Sequence, residues 1–491
     1  MTMTMSRVIR PIANVVWPII NVFKRHNLSS KRVTKKVRKK SVIGDFLPNI
    51  VVKFYDNISF PYHEDANVQE YFSKNKSFPW QELHEKFPGI RLSKLFNSLK
   101  PAEIEGIVSK IKDSNPNYNP PNFLSCVSIE YPEKDYGKEL LSIIAKSEIV
   151  EYAYIESDGG PSSTVTGANP KLREQGYLNR ASEGINAKYA WGKPGGRGEG
   201  NVQFIDIEQG WALDHEDLPR NIPLLYGINS EFLFHGTAVL GIIFMQDNGE
   251  GGVGIAYKAR PQVISQIVEK TDSHGRVRKA NIVNDAILKA IDQLKFGDIL
   301  LIEAQVSDED LIWPVETRRM TFDLIELATK KGIIVIEPAG NGDTSGDPVG
   351  NNLDDFKNAW ENKVLDRTPG NAEFKDSGAI MVAAASDRNG HSKMKSTNFG
   401  NRIDCFAWGE NVFTTNNPAE LPGPYLPDFN GTSSASAIIA GAAIVVQSIV
   451  EASGKPRLSP AQMRDILSQN GTSGNRIGVM PNLKKIIDDV L

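Results

Sequence analysis

Three rhythms of apolar and polar positions divide the chain. Residues 1–44 keep no period: the apolar stretch 12–23 is interrupted by Asn14, Pro18 and Asn21, and a basic run, KRHNLSSKRVTKKVRKK, follows it. Between 45 and 156, short apolar runs at 50–55, 123–131 and 149–155 predict strands, and helical spacing at 80–100, 102–112 and 137–147 predicts helices. That pattern is a small α+β domain. Residues 157–169, SDGGPSSTVTGAN, form a Gly, Ser and Pro linker. From 170 to 491, apolar runs bounded by Gly and Asp alternate with helical segments, which predicts an α/β domain: a parallel sheet wrapped by helices. Strands are expected at 201–205, 262–266, 299–302, 333–337 and 379–384, with helices at 281–295 and 319–331 between them.

One stretch departs from ordinary amphipathic spacing. In 428–451, DFNGTSSASAIIAGAAIVVQSIVE, a turn of small residues runs into a segment that is apolar around almost its whole circumference, so it must be a buried helix. Ser433 stands at its start, where Ser serves either as a helix cap or as a nucleophile beside unsatisfied backbone N–H groups. Open α/β sheets collect functional groups at the carboxyl ends of strands. Asp206 directly follows the first expected strand, and Asn341 follows the fourth through Pro338, Ala339 and Gly340. His235 opens a second apolar segment, HGTAVLGIIF. A lone histidine there is usually structural, but Asp206, His235, Asn341 and Ser433 together supply an orienting carboxylate, a general base, an oxyanion donor and a nucleophile, the roles that acyl transfer needs.

The order Asp, His, Ser, with the phrases FIDIEQGWALDHEDL, HGTAVLGII, PAGN and NGTSSASAIIAGAA, resembles the subtilisin-like serine peptidases. The resemblance runs from about residue 181 to 491. It implies a serine endopeptidase acting on protein or peptide substrates, with catalytic residues Asp206, His235 and Ser433, and Asn341 holding the oxyanion. It also implies substrate-backbone contacts from Glu303, Ala304 and Gln305, where such enzymes usually carry Ser-Leu-Gly, and from Ala339 and Gly340. The 123–155 segment is similar to the end of a subtilisin-type propeptide, so the 45–156 domain is expected to be an intramolecular inhibitor, as in a zymogen. Four positions depart from the usual pattern. Ile-Glu-Gln-Gly follows Asp206 instead of Ser or Thr then Gly, Ala238 replaces a second histidine, Ser434 replaces a methionine and Ala437 a proline. A peptide-binding protein that has lost turnover would lack a catalytic member, and all four are present.

Composition adds exclusions more than assignments. With 56 Lys and Arg against 59 Asp and Glu, the net charge is −3, which gives no overall push toward nucleic acid or membrane. No nucleic-acid partner is expected. The basic tail reads as disordered or loosely amphipathic, with contact to anionic lipid as its alternative. It has neither the unbroken apolar core of a signal peptide nor the length of a span, so a cytoplasmic location is the expectation. Cys126 and Cys405 are too few for a disulfide framework and are expected as buried free thiols. Gly249, Gly251 and Gly254 match G-x-G-x-x-G but follow a helical segment, which fails the context of a dinucleotide site. Calcium is a cofactor the resemblance suggests; the acidic stretch 307–310 and the pair Asp354 and Asp355 offer carboxylates without a spacing that specifies a site.

Overall fold

Runs of aliphatic residues too short for a helix set the centre of the molecule. Ile299–Ile302, Ile334–Pro338 and Ile380–Ala385 are buried at every position, as strands covered on both faces must be. The computed structural model describes residues 46–491 apart from 63–66, 75–77, 134, 157–173, 309, 344–348, 359–360 and 389. The basic tail and the 157–169 linker therefore lie outside the described residues.

Those strands are the middle of a nine-stranded sheet. Its order is Gly471–Ser473, Val479–Pro481, Cys405–Trp408, Ile380–Ala385, Ile334–Pro338, Ile299–Ile302, Phe204–Glu208, Pro261–Ser265 and Leu224–Tyr226. Every neighbouring pair is parallel except the first two strands in that order. The expected parallel α/β architecture is present, with one displacement that matters below: the strand expected at 201–205 runs instead at Phe204–Glu208.

Side-chain alternation sorts the two faces of that strand. Ile205 and Ile207 join the apolar cluster of the helices Val283–Gln293 and Arg319–Lys331. Phe204 joins the opposite cluster, with the helices Leu233–Phe244 and Thr432–Ala452. Asp206 and Glu208 share the parity of Phe204, so both carboxyls turn toward these last two helices. The Thr432–Ala452 helix is apolar and long enough to cross a membrane, but it is buried from Thr432 to Val450 as the core helix of the molecule.

The 45–156 region contributes a four-stranded antiparallel sheet, in the order Arg91–Lys94, Cys126–Glu130, Asn49–Phe54, Val150–Ile155. A helix continuing through 80–100 is not found. It ends at Lys86, Pro88 and Gly89 break it, and the chain turns into the Arg91–Lys94 strand. Val51, Cys126, Tyr152 and Tyr154 of this sheet enter the same apolar cluster as the helices Val283–Gln293 and Arg319–Lys331. Residues 44–491 thus form one compact unit. Cys126 and Cys405 are buried free thiols.

Candidate active site

The serine enters the site through a glycine turn. Gly431 has φ +89°, a conformation that a side chain disfavours, and a Cβ there would lie 3.0 Å from Asn341 Oδ1. The helix starts at the next residue, so Ser433 lies in its first turn, where backbone N–H groups have no partner four residues back. Ser433 retains 8% exposure, while Ser434 and Ser436 are fully buried. Their hydroxyls are also committed: Ser434 donates to Gly431 O and Trp408 O, and Ser436 bonds the Glu303 carboxyl.

Asn341 comes from the end of the Ile334–Pro338 strand. Its Oδ1 accepts the Thr432 backbone N–H at 2.9 Å and the Thr432 hydroxyl at 3.2 Å. The amide is thereby fixed with Nδ2 on its other side, 3.4 Å from Gln305 Oε1. Ala339 precedes it, buried, with its N–H bonded to Val382 O at 2.8 Å.

His235 lies in the first turn of the Leu233–Phe244 helix, whose opening N–H groups of Leu233 and Phe234 are capped by the Glu420 carboxylate at 3.2 and 2.6 Å. Gly236 lets this helix close on the end of the Phe204–Glu208 strand. A Cβ there would come within 2.4 Å of Gly210 O and 2.6 Å of the Trp211 ring. The close approach brings His235 Nδ1 into a hydrogen bond with Glu208 Oε1.

The carboxylate on His235 is therefore Glu208, and the assignment of Asp206 is corrected. A strand advances about 3.3 Å per residue, so Asp206 sits roughly 7 Å deeper on the same face. There its Oδ2 accepts the Trp211 indole N–H at 2.8 Å, and its Oδ1 has no hydrogen-bond partner among the described residues. Only the strand's last residue reaches the histidine. Glu208-Gln209-Gly210 carries the acid-x-Gly spacing that the sequence comparison found missing after Asp206; that departure was the signal for it.

Glu303 also departs from expectation. Its backbone follows the Ile299–Ile302 strand, toward the expected substrate edge, but its side chain turns inward and is 6% exposed. One carboxylate oxygen of Glu303, one of Glu208 and a ring nitrogen of His235 lie within 4.8 Å of one another. Gln305 begins the outermost strand of a three-stranded sheet with Leu311–Pro314 and Gly342–Asp343. No hydrogen bond joins Ser433 Oγ to His235 among the described residues; the two elements meet through Glu303, which takes the Ser436 hydroxyl one turn along the serine helix.

Burial governs the charges here. It pushes the His235 imidazole down to about 4, opposed by the negative charge of Glu303. Burial also pushes the Asp206, Glu208 and Glu303 carboxyls up, and their mutual repulsion keeps them from ionising together. The resting imidazole is neutral. With the Nδ1 proton held toward Glu208, Nε2 carries the lone pair, the state a general base needs.

The carboxylates suggested for calcium do not converge. Asp354 accepts from Arg476 at 2.5 Å and from the Asn401 N–H at 2.8 Å, while Asp355 faces Lys363 and the Asn352 amide. Asp308 and Asp310 flank the turn of the Gln305–Asp308 and Leu311–Pro314 hairpin.

Residues 223–482, more than half of the chain, match the model of the Subtilase family, Peptidase_S8. The match begins beyond Asp206 and Glu208, so it does not bear on which carboxylate serves. The chain is 25% identical over 301 residues to the intracellular serine protease of Paenibacillus polymyxa, covering 58% of this chain and 78% of that one. It is 27% identical over 277 residues to subtilisin E of Bacillus subtilis (strain 168), covering 55% of this chain and 61% of that protein's length. Among solved structures, fervidolysin from Fervidobacterium pennivorans, described as a keratinolytic enzyme related to subtilisin, aligns with a TM-score of 0.48 at 16% identity, over 81% of this chain and 60% of that one. By its family match, the chain belongs to the subtilase family of serine-type endopeptidases.

Proposed function

We propose that this protein hydrolyses peptide bonds through an acyl-enzyme on Ser433. The observation that carries the reading is the Glu208 carboxyl bonded to His235 Nδ1, beside a helix that opens with Ser433 while the neighbouring Ser434 and Ser436 hydroxyls are bonded inside the protein. Ser433 Oγ attacks the carbonyl carbon as His235 Nε2 takes its proton, and Glu208 holds the ring and stabilises the imidazolium. The Asn341 amide and the Ser433 backbone N–H receive the oxyanion. His235 then returns the proton to the departing amine, and water, activated in the same way, releases the acid. The serine–histidine hydrogen bond, not made in the ground state among the described residues, forms when substrate excludes water.

The substrate backbone runs beside Ala304 and Gln305 on one side and Ala339 and Gly340 on the other. The 45–156 domain is the intramolecular inhibitor in this reading, since its Val150–Ile155 strand leads into the linker from a sheet packed on the helices Val283–Gln293 and Arg319–Lys331 of the peptidase domain. A fluorophosphonate probe followed by peptide mass spectrometry tests the nucleophile. The adduct is expected on Ser433 and absent from Ser433→Ala; labelling of Ser434 or Ser436, or undiminished labelling of the variant, overturns the assignment.

A further inference from the structure

Glu303 has no task in the mechanism above, yet it is buried against its central residue. Its Oε1 takes the Ser436 hydroxyl, and its Oε2 is buried without a hydrogen-bond partner among the described residues. The groups facing it are Asp206 and Glu208 from the neighbouring parallel strand, His235 from its helix, and Ser436 from the serine helix. The ring of Phe429 lies 5.3 Å from that of His235 and excludes water on another side. Among the described residues, no lysine or arginine pairs with Asp206, Glu208 or Glu303. The imidazole is thus the single group in the cluster that can become a cation.

We propose that Glu303 is a positioning residue for His235: its carboxylate, held by the Ser436 hydroxyl within 4.8 Å of the ring nitrogen, offsets part of the burial that disfavours a proton on the imidazole. The inference rests on the peptidase reading for its consequence but not for its cause. An imidazole buried among apolar rings binds a proton too weakly to accept one from a serine at moderate pH. Glu208 alone addresses Nδ1 and the ring's orientation. Glu303 acts on the ring through its charge, from beyond the end of the Ile299–Ile302 strand and without touching the reacting atoms.

The sign of the effect follows. When Glu303 is ionised, the imidazolium is favoured and the histidine titrates higher; when Glu303 is protonated or replaced, the histidine titrates lower and is a poorer base. Glu303→Gln keeps the shape and an acceptor for Ser436 while removing the charge. NMR titration of the His235 ring, which requires no turnover, is expected to move down by at least one pH unit in this variant. The acid limb of kcat/KM should move with it, and kcat should fall about tenfold with KM nearly constant. Glu303→Asp should restore part of both. Ser436→Ala, which removes the hydroxyl favouring the carboxylate, should move the titration in the same direction by less, and it serves if Glu303→Gln melts early. An unchanged His235 titration in Glu303→Gln and Ser436→Ala overturns the proposal. Loss of turnover and of Ser433 labelling in the unaltered protein would instead overturn the peptidase reading and leave the NMR comparison to decide on Glu303.

Discussion

Asn341 is oriented before any substrate arrives. Its carbonyl oxygen is held by the Thr432 N–H, so the Nδ2 end cannot rotate away without breaking a 2.9 Å bond at the base of the serine helix. A preset donor of this kind matters when negative charge develops and little before. Asn341→Ala should therefore lower kcat by about a hundredfold or more with KM nearly unchanged, as measured by steady-state kinetics on a peptide substrate; a change confined to KM would make it a substrate contact. The positions of Ser433, His235 and Asn341 at element ends were legible in the sequence because each opens or follows an element whose apolar pattern is unmistakable. Glu208 was not, since two charged residues in the last three positions of a strand hide where it ends. The apolar pattern stops at Ile205, whereas the backbone pairing continues to Glu208 with Ser265 as its partner, so the strand's carboxyl end lies beyond the last position that the pattern marks.

At the scale of elements, one carboxylate of the helix Val283–Gln293 ties the segment after the Arg91–Lys94 strand to that helix, beside the Asn284 bonds to Tyr154 and Glu156. Asp285 accepts the backbone N–H groups of Asn97 and Ser98 at 3.1 Å each, the Ser98 hydroxyl at 2.5 Å and the Tyr226 hydroxyl at 3.0 Å. Removing it leaves part-buried donors unsatisfied, and losing even one at about 1–3 kcal/mol shifts docking by about one to two orders of magnitude. If the 45–156 domain inhibits, Asp285→Ala in the full chain should raise turnover of a small peptide substrate roughly tenfold or more. A loss of activity with early melting would make the domain a permanent support. The sequence suggested this domain's strands and its last two helices, but it missed the Arg91–Lys94 strand. Four residues with one buried apolar position carry little signal of their own, and pairing with Cys126–Glu130 decides the structure there.

For the whole molecule, the parallel sheet is what gathers the site. Glu208, Glu303 and Asn341 come from the ends of three adjacent parallel strands, and His235 and Ser433 from the first turns of the two helices packed on one face. That topology was legible from the alternation of short aliphatic runs with helical segments. The inward turn of Glu303 was not, because it depends on Ser436, 133 residues away, and on the space left beside a buried imidazole. The central claim is that Glu208, and not Asp206, completes the catalytic set, and the most direct test compares Glu208→Gln with Asp206→Asn. The rate at which Ser433 reacts with a fluorophosphonate, and kcat alongside it, should fall by about 10⁴-fold in Glu208→Gln, the loss typical when a serine triad loses its carboxylate. The same quantities should change by less than about tenfold in Asp206→Asn, which retains an acceptor for the Trp211 indole. The reverse order, a collapse in Asp206→Asn with Glu208→Gln nearly intact, would contradict the account.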